Sequence, residues 1–233
     1  MKQIGILSAT PGAGAKTVAA LFACYLASEE KKEPAVLELC SNALYNGLGL
    51  DKRFAGKDFF APGGPPNKLW GVNWQLQPKP LLSQITEDRL YRLSQIFRRV
   101  EGDVMLCVVN GMPYEEQKTL LADMDYVLLL LDPMPSKILS LPSQRPEIFR
   151  FISNQLRQGK NARYIPVVNK MNDGVKLYQI QSFLGLSKVT TVPFLDSSLL
   201  YRAEYSCRPP YTFGEIQKEA KSSMRELWEK VSG

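Results

Sequence analysis

The 233-residue sequence predicts an α/β fold, a mostly parallel sheet with helices on both faces. Two observations carry the prediction. Short apolar runs recur along the chain without the polar alternation of a strand that has one wet face, so both of their faces are buried. Between them lie longer segments with apolar residues at helical spacing, and strands that alternate with helices define a covered parallel sheet. A content of 45% hydrophobic and 22% charged residues is that of a globular chain, and we read residues 1–233 as one domain with a sizeable core.

Taken in order, residues 4–7 form the first strand, 9–15 a loop of small residues and 17–29 the first helix. A charged turn leads to a second strand at 35–40. Residues 41–68 hold five glycines and three prolines and predict a long loop with at most one short helix, of a length that usually carries function. Residues 70–76 form a strand. Residues 86–100 form a helix with Thr86 as N-cap, Glu87 and Asp88 in the first turn, and Leu90, Leu93 and Phe97 along one face. Strand 104–109 runs into the turn Asn110-Gly111-Met112-Pro113. Helix 114–124, strand 126–131, helix 148–156, strand 163–169, helix 175–184, strand 189–193 and helix 213–231 complete the chain.

The sequence holds no histidine, which removes serine–histidine, cysteine–histidine and zincin chemistry together. Four cysteines, Cys24, Cys40, Cys107 and Cys207, show no CxxC spacing, so a zinc knuckle and a thioredoxin-type motif are excluded. The first three lie in apolar stretches and read as buried thiols of a reduced, cytoplasmic protein. No apolar run has the length of a signal-peptide core or a membrane span.

The chemistry concentrates in Thr10-Pro11-Gly12-Ala13-Gly14-Ala15-Lys16-Thr17, between the first strand and the first helix. Small residues let backbone N–H groups converge on phosphate oxygens. The helix N-terminus adds partial positive charge, Lys16 a full one, and the Thr17 hydroxyl suits Mg²⁺. The strict GxxxxGK[ST] pattern is broken twice, by Thr10 at the first glycine and Ala15 at the second. If the Ala15 position demands a positive φ, its methyl strains the backbone or meets the phosphate, with Gly14 offsetting it. A Gly/Ala turn beside a surface lysine is the other reading of these residues.

With this loop the chain resembles the ParA/MinD group of deviant P-loop ATPases, which includes the TadZ/CpaE pilus-localisation proteins. The matching pieces follow in order over nearly the whole chain. They are the first strand and loop; Leu37-Glu38-Leu39-Cys40, then Gly47-Leu48-Gly49-Leu50-Asp51; Asn110-Gly111-Met112-Pro113; Asp125-Tyr126-Val127-Leu128, leading to Asp132-Pro133-Met134-Pro135-Ser136; Val167-Val168-Asn169-Lys170; and Val192-Pro193. The resemblance implies a three-layer P-loop NTPase fold, ATP and Mg²⁺ as cofactors, a homodimer favoured by ATP, and work as a localisation or partitioning factor with a protein partner. It implies that Gly12, Ala13, Gly14, Ala15 and Lys16 cradle the phosphates and that Thr17 holds Mg²⁺. It places Asn169 at the adenine base, with residues 192–196 bordering the same pocket. A strand-ending turn is the alternative for Asn169-Lys170.

The chain departs from the resembled pattern at three charged positions. Pro11 stands where the family has its signature lysine, Cys40 where it has the carboxylate that orients attacking water, and Asn110 where it has the aspartate that supports Mg²⁺. Phosphoryl transfer rests on positioned charge, so each loss costs on the order of 10²–10³ in rate, and the chain is expected to be at most a weak ATPase with no catalytic residue assigned. Asp51, Asp58 and Asp103 lie near the altered loops in sequence, and nothing in the sequence places their carboxylates. Cys40, without a histidine to activate it, reads as a small buried residue and not a nucleophile.

Lys and Arg number 29 against 23 acids, a net charge of +6. Arg92, Arg98 and Arg99 on one helix, and Arg157, Lys160 and Arg163 around another helix end, are candidate contacts for nonspecific DNA, or simply a solvated face. In the last helix Ile216, Ala220, Met224, Leu227 and Val231 share a face. Its mixed-sign polar side fits a packed helix better than a membrane-surface one. The leading expectation is therefore an ATP-binding localisation factor. The alternative is a scaffold that keeps the fold, has lost the ligand and acts through protein or DNA surfaces. A small-molecule kinase or synthetase is a weaker third, because no substrate-site base is evident.

Overall fold

A computed structural model of the chain describes residues 1–50, 68–85, 88–156 and 163–233. Thr86, Glu87, Asp51, Asp58, Arg157, Lys160 and most of the expected 41–68 loop lie outside the described residues. The elements run β1 (Lys2–Ser8), α1 (Ala15–Ser28), β2 (Pro34–Glu38), α2 (Ala43–Gly47), β3 (Lys68–Leu69), β4 (Val72–Gln75), α3 (Arg89–Arg99), β5 (Val104–Val108), α4 (Tyr114–Ala122) and β6 (Tyr126–Leu131). They continue with α5 (Pro135–Leu139), α6 (Leu141–Gln144), α7 (Pro146–Phe151), β7 (Tyr164–Met171), α8 (Leu177–Leu184), β8 (Thr190–Pro193), α9 (Ser197–Tyr205) and α10 (Lys218–Ser232).

The strands form one eight-stranded sheet in the order β3-β4-β2-β5-β1-β6-β7-β8. Every pairing is parallel except β3 with β4. That exception is a hairpin closed by Trp70 and Gly71, whose φ values of 55° and 76° suit the twist of its strands. The expected α/β fold, a mostly parallel sheet covered on both faces, is the observed one.

Along β1, Ile4 and Ile6 join the core under α1 and α10, and Leu7 joins the core on the opposite face; β5 divides likewise, with Leu106 and Val108 on one side and Met105 and Cys107 on the other. Both faces are dry, which is why these strands read as unbroken apolar runs. After β1 the chain builds toward β2 and β5 on one side and later β6 to β8 on the other. The carboxyl end of β1 is therefore the point where the sheet changes direction, and such points favour ligand crevices.

The expected boundaries needed several corrections. The last helix begins at Lys218, not Phe213: a 3₁₀ turn at Pro210–Thr212 leaves Phe213 extended, and its ring lies under the guanidinium groups of Arg202 and Arg208 at 5.2 and 5.0 Å. Helix α9, absent from the sequence reading, supplies Arg202. The expected helix at 148–156 is α7 followed by a π turn at Ile152–Leu156. Asp88 precedes α3 with φ 47° and is not part of its first turn. Cys40 lies beyond the end of β2, half-buried, while Cys24 and Cys107 are buried and all four thiols are free. As expected, α10 turns Ala220, Met224, Leu227 and Val231 into the core, and Ile216 is buried just before it.

Candidate nucleotide-binding site

The loop after β1 is held at several points. Thr10 is fully buried, and its Oγ1 accepts the Asp132 N–H at 2.7 Å, tying the loop to the end of β6. The guanidinium of Arg145 donates to the carbonyls of Ser8 and Ala9 at 2.6 and 3.2 Å. Threonine in place of the first motif glycine thus gains a structural hydrogen bond that glycine lacks.

Gly12 and Gly14 have φ values of 69° and 81°, and Ala15 is the first residue of α1. The strain foreseen at Ala15 does not arise. The left-handed position falls one residue earlier, on Gly14, and the Ala15 methyl packs into the core. The first bond of the helix runs from the Val18 N–H to the Gly14 carbonyl at 3.0 Å. The N–H groups of Ala15, Lys16 and Thr17 have no acceptor within α1, and such donors bind anions.

A register shift between β7 and β8 at Val168/Met171 brings Asn169 and Lys170 to the loop. Asn169 is buried, and its Nδ2 donates to the Ala13 carbonyl at 2.8 Å. A Cβ on Gly14 would lie 2.4 Å from that Nδ2, so Asn169 requires glycine there. The residue that the resemblance assigns to the adenine base is thus a brace of the loop in this structure. Lys170, at φ 64°, donates to the Gly12 carbonyl at 2.7 Å and to Asp132 Oδ2 at 2.9 Å, and Lys137 reaches the same Oδ2 at 2.7 Å. Burial alone would raise the Asp132 carboxyl, but hydrogen bonds from Lys137, Lys170 and the Met134 N–H hold it below its ordinary value.

A cavity of about 430 Å³ opens over the loop, lined by Gly12, Gly14, Lys16, Thr17, Glu38 and Asn110 among others. Lys16 Nζ lies 3.4 Å from Glu38 Oε1. Glu38, at the end of β2, is buried; it accepts the Ser41 hydroxyl and, through Oε2, the Leu44 N–H at 2.9 Å. Lys16 and Thr17 also line a second cavity of about 510 Å³, walled by Ala20, Leu44 and Leu48 and by Leu200 and Tyr201 of α9. The cradle thus adjoins a second recess that shares Lys16 and Thr17 with it and is also lined by Ser197, Glu204 and Arg208. Of the segment 192–196, Val192 is buried, Phe194 faces a different cavity, and Asp196 caps α9 by accepting the Leu199 N–H at 3.0 Å, while the adjoining Ser197 lines the second cavity.

The three departures have distinct settings. Pro11 is exposed on the loop. Burial first, and then the carboxylates of Glu116 and Glu38, push the Cys40 thiol up to about 11, so it is no thiolate nucleophile at neutral pH. Asn110 Oδ1 accepts the Ser8 N–H at 2.7 Å, and its Nδ2 donates to Ser8 Oγ at 3.2 Å. Asp103 lies at the amino end of β5, the end of the sheet away from the loop, where its carboxylate accepts the Glu33 N–H, and it cannot replace an acid at the loop. Among the described residues no group of three His, Cys, Asp or Glu side chains forms a metal site. Arg92, Arg98 and Arg99 are exposed on α3, whereas Arg163 donates to the carbonyls of Leu121, Ala122 and Met124 behind α4.

No family model matches the chain, and no curated protein matches it. Solved structures do. A MinC:MinD cell division protein complex from Aquifex aeolicus matches with a TM-score of 0.69 at 14% identity, over 98% of this chain and 96% of that one. MinD complexed with Mg-ADP from Pyrococcus horikoshii OT3 gives 0.69 at 14% identity over 100% and 97%. A putative plasmid partition protein from Borrelia burgdorferi B31 bound to AMPPNP gives 0.68 at 15% over 98% of each chain. At these identities the likeness defines the fold: the chain has the ParA/MinD-type P-loop fold. No helix among the described residues is long and apolar enough to cross a membrane.

Proposed function

We propose that the chain is a cytoplasmic, single-domain ATP-binding protein of the ParA/MinD type that works as a localisation or partitioning factor with weak or absent ATP hydrolysis. The observation that carries this reading is the continuous cleft, in which the donors of Ala15, Lys16 and Thr17 open beside Gly12 and Gly14 and lead into the recess between α1 and α9. Two left-handed glycines, three N–H groups at a helix N-terminus and one lysine fit a polyphosphate. The Thr17 hydroxyl and the Glu38 carboxylate line the same cavity and would hold Mg²⁺. When bound, MgATP supplies the phosphoanhydride.

The chain's own contribution to cleavage is small. Cys40 and Asn110 bring no charge to the attacking water or the metal, and Pro11 brings none to a partner subunit's phosphates. A homodimer with a protein partner is part of the proposal, and a fold neighbour that is a complex of MinD with MinC supports the protein partner. A TadZ/CpaE-like role is one form of this proposal. Nonspecific DNA contact through the exposed arginines of α3 is a subordinate part of it.

One observation favours the rival reading of a nucleotide-independent scaffold. Glu38 pairs with Lys16, supplying an internal anion where a phosphate would otherwise lie. Assembly measured by sedimentation with and without MgATP separates the two. ATP-dependent dimerisation supports the proposal, and a dimer indifferent to ATP supports the scaffold.

A further inference from the structure

A cavity of about 870 Å³, larger than either part of the cleft and sharing no lining residue with it, lies between the β6–α5 segment and α8. One end is polar. There the Asp132 carboxylate accepts from Lys137 and Lys170, so two lysines meet one aspartate, and Lys176 also lines the cavity. An ammonium carries three N–H donors. Among the described residues Lys137 spends one on Asp132, and Lys170 spends two, on Asp132 and the Gly12 carbonyl. Donors and net positive charge remain.

Asn172 and Gln179 also line the cavity, and the remaining wall is largely apolar and partly solvent-facing. Met134, Leu139, Phe183 and Phe194 are 56%, 63%, 41% and 45% exposed, and Ile138, Val175 and Ile180 lie deeper. Large apolar side chains in a concave wall with a few convergent polar groups are the make-up of a small-molecule site, and the volume falls within the range of such sites. The charge at the polar end selects the sign of the ligand.

We propose that this cavity binds a small amphiphilic anion as a free molecule, its anionic head at Lys137 and Lys170 and its apolar body against Ile180, Phe183 and Phe194. This binding is independent of the nucleotide reading, although Lys170 places the head one hydrogen bond from the Gly12 carbonyl.

The test is calorimetric titration of the full chain, free of nucleotide, with decanoate below its micelle concentration and with decyltrimethylammonium of the same chain length. Saturable one-to-one binding of decanoate is expected, at least about tenfold tighter than the cation. Lys137→Met and Phe183→Ser should each weaken decanoate binding about tenfold. Lys176→Gln, at an exposed side chain that folding does not need, should weaken it about threefold. Equal affinity for anion and cation overturns the proposal, as does an affinity unchanged in both lysine variants while thermal melts show them folded. Binding to phosphatidylglycerol vesicles without binding of monomeric decanoate overturns it in favour of a membrane-docking surface.

Discussion

Lys16 Nζ and Glu38 Oε1 stand 3.4 Å apart across the candidate phosphate cavity, the carboxylate buried and fixed by Ser41 and the Leu44 N–H. The lysine of the loop thus already has an anion, and a phosphate must share it. Glu38 would help hold Mg²⁺, whose charge would relieve that competition. Glu38→Gln keeps an acceptor for the Leu44 N–H and removes the charge. Binding of ATP without metal should then tighten about tenfold and lose most of its dependence on Mg²⁺. Titration of both proteins with ATP, with and without chelator, checks this.

The left-handed turn belongs to Gly14 and not to its neighbour. Gly14→Ala adds a Cβ at φ 81°, 2.4 Å from the Asn169 amide, and should cost about 2–4 kcal/mol in urea unfolding. Ala15→Gly restores the motif glycine but places it in the first turn of a helix. It should cost about 0.5–1 kcal/mol and leave ATP affinity unchanged. A gain in affinity would mean that the Ala15 methyl obstructs the phosphate.

Stability should fall in alkali. Burial pushes Cys40 up to about 11 and Cys24 up to about 12 from an ordinary 9.0. Groups raised in the folded state contribute stability that is complete below their unfolded value and is lost as the pH climbs through the folded one. The urea midpoint should hold to about pH 9 and then drop, and Cys40→Ser should remove part of the drop. Asp132 acts in the opposite direction. Held below its ordinary 3.8 against its burial, it contributes stability that is present above that value and lost as the pH falls beneath it.

Hydrolysis should respond to restored charge. Asn110→Asp keeps an acceptor for the Ser8 N–H, and Cys40→Asp sets a carboxylate beside the cavity. The double variant should release phosphate from MgATP at least on the order of 10²-fold faster than the natural chain. An unchanged rate in a folded double variant would place the deficit elsewhere, at Pro11 first.

Much of the scaffold was legible in the sequence because its strands are dry on both faces. Residues 126–131, bounded by Asp125 and Asp132, were read with their observed limits. Helix α9 was missed because Leu199 and Ala203 are its buried positions among exposed Tyr201, Arg202, Glu204 and Tyr205, too thin a stripe for periodicity to register. The phosphate loop was legible as a motif, but its supports were not. Asp132, Lys170 and Arg145 reach it from more than 110 positions away, with Lys137 bonded to Asp132, and no local pattern announces the long-range contacts. Glu38 appears in the sequence only as part of the matched segment Leu37-Glu38-Leu39-Cys40, and its pairing with Lys16 follows from the carboxyl end of β2 meeting the start of α1.

The central claim is that the loop holding Lys16 binds ATP. Calorimetric titration of the natural chain and of Lys16→Ala with MgATP tests it most directly. The account predicts saturable binding by the natural chain and a loss of about thirtyfold or more in the variant. No binding at millimolar nucleotide, or equal binding by both proteins, would contradict it.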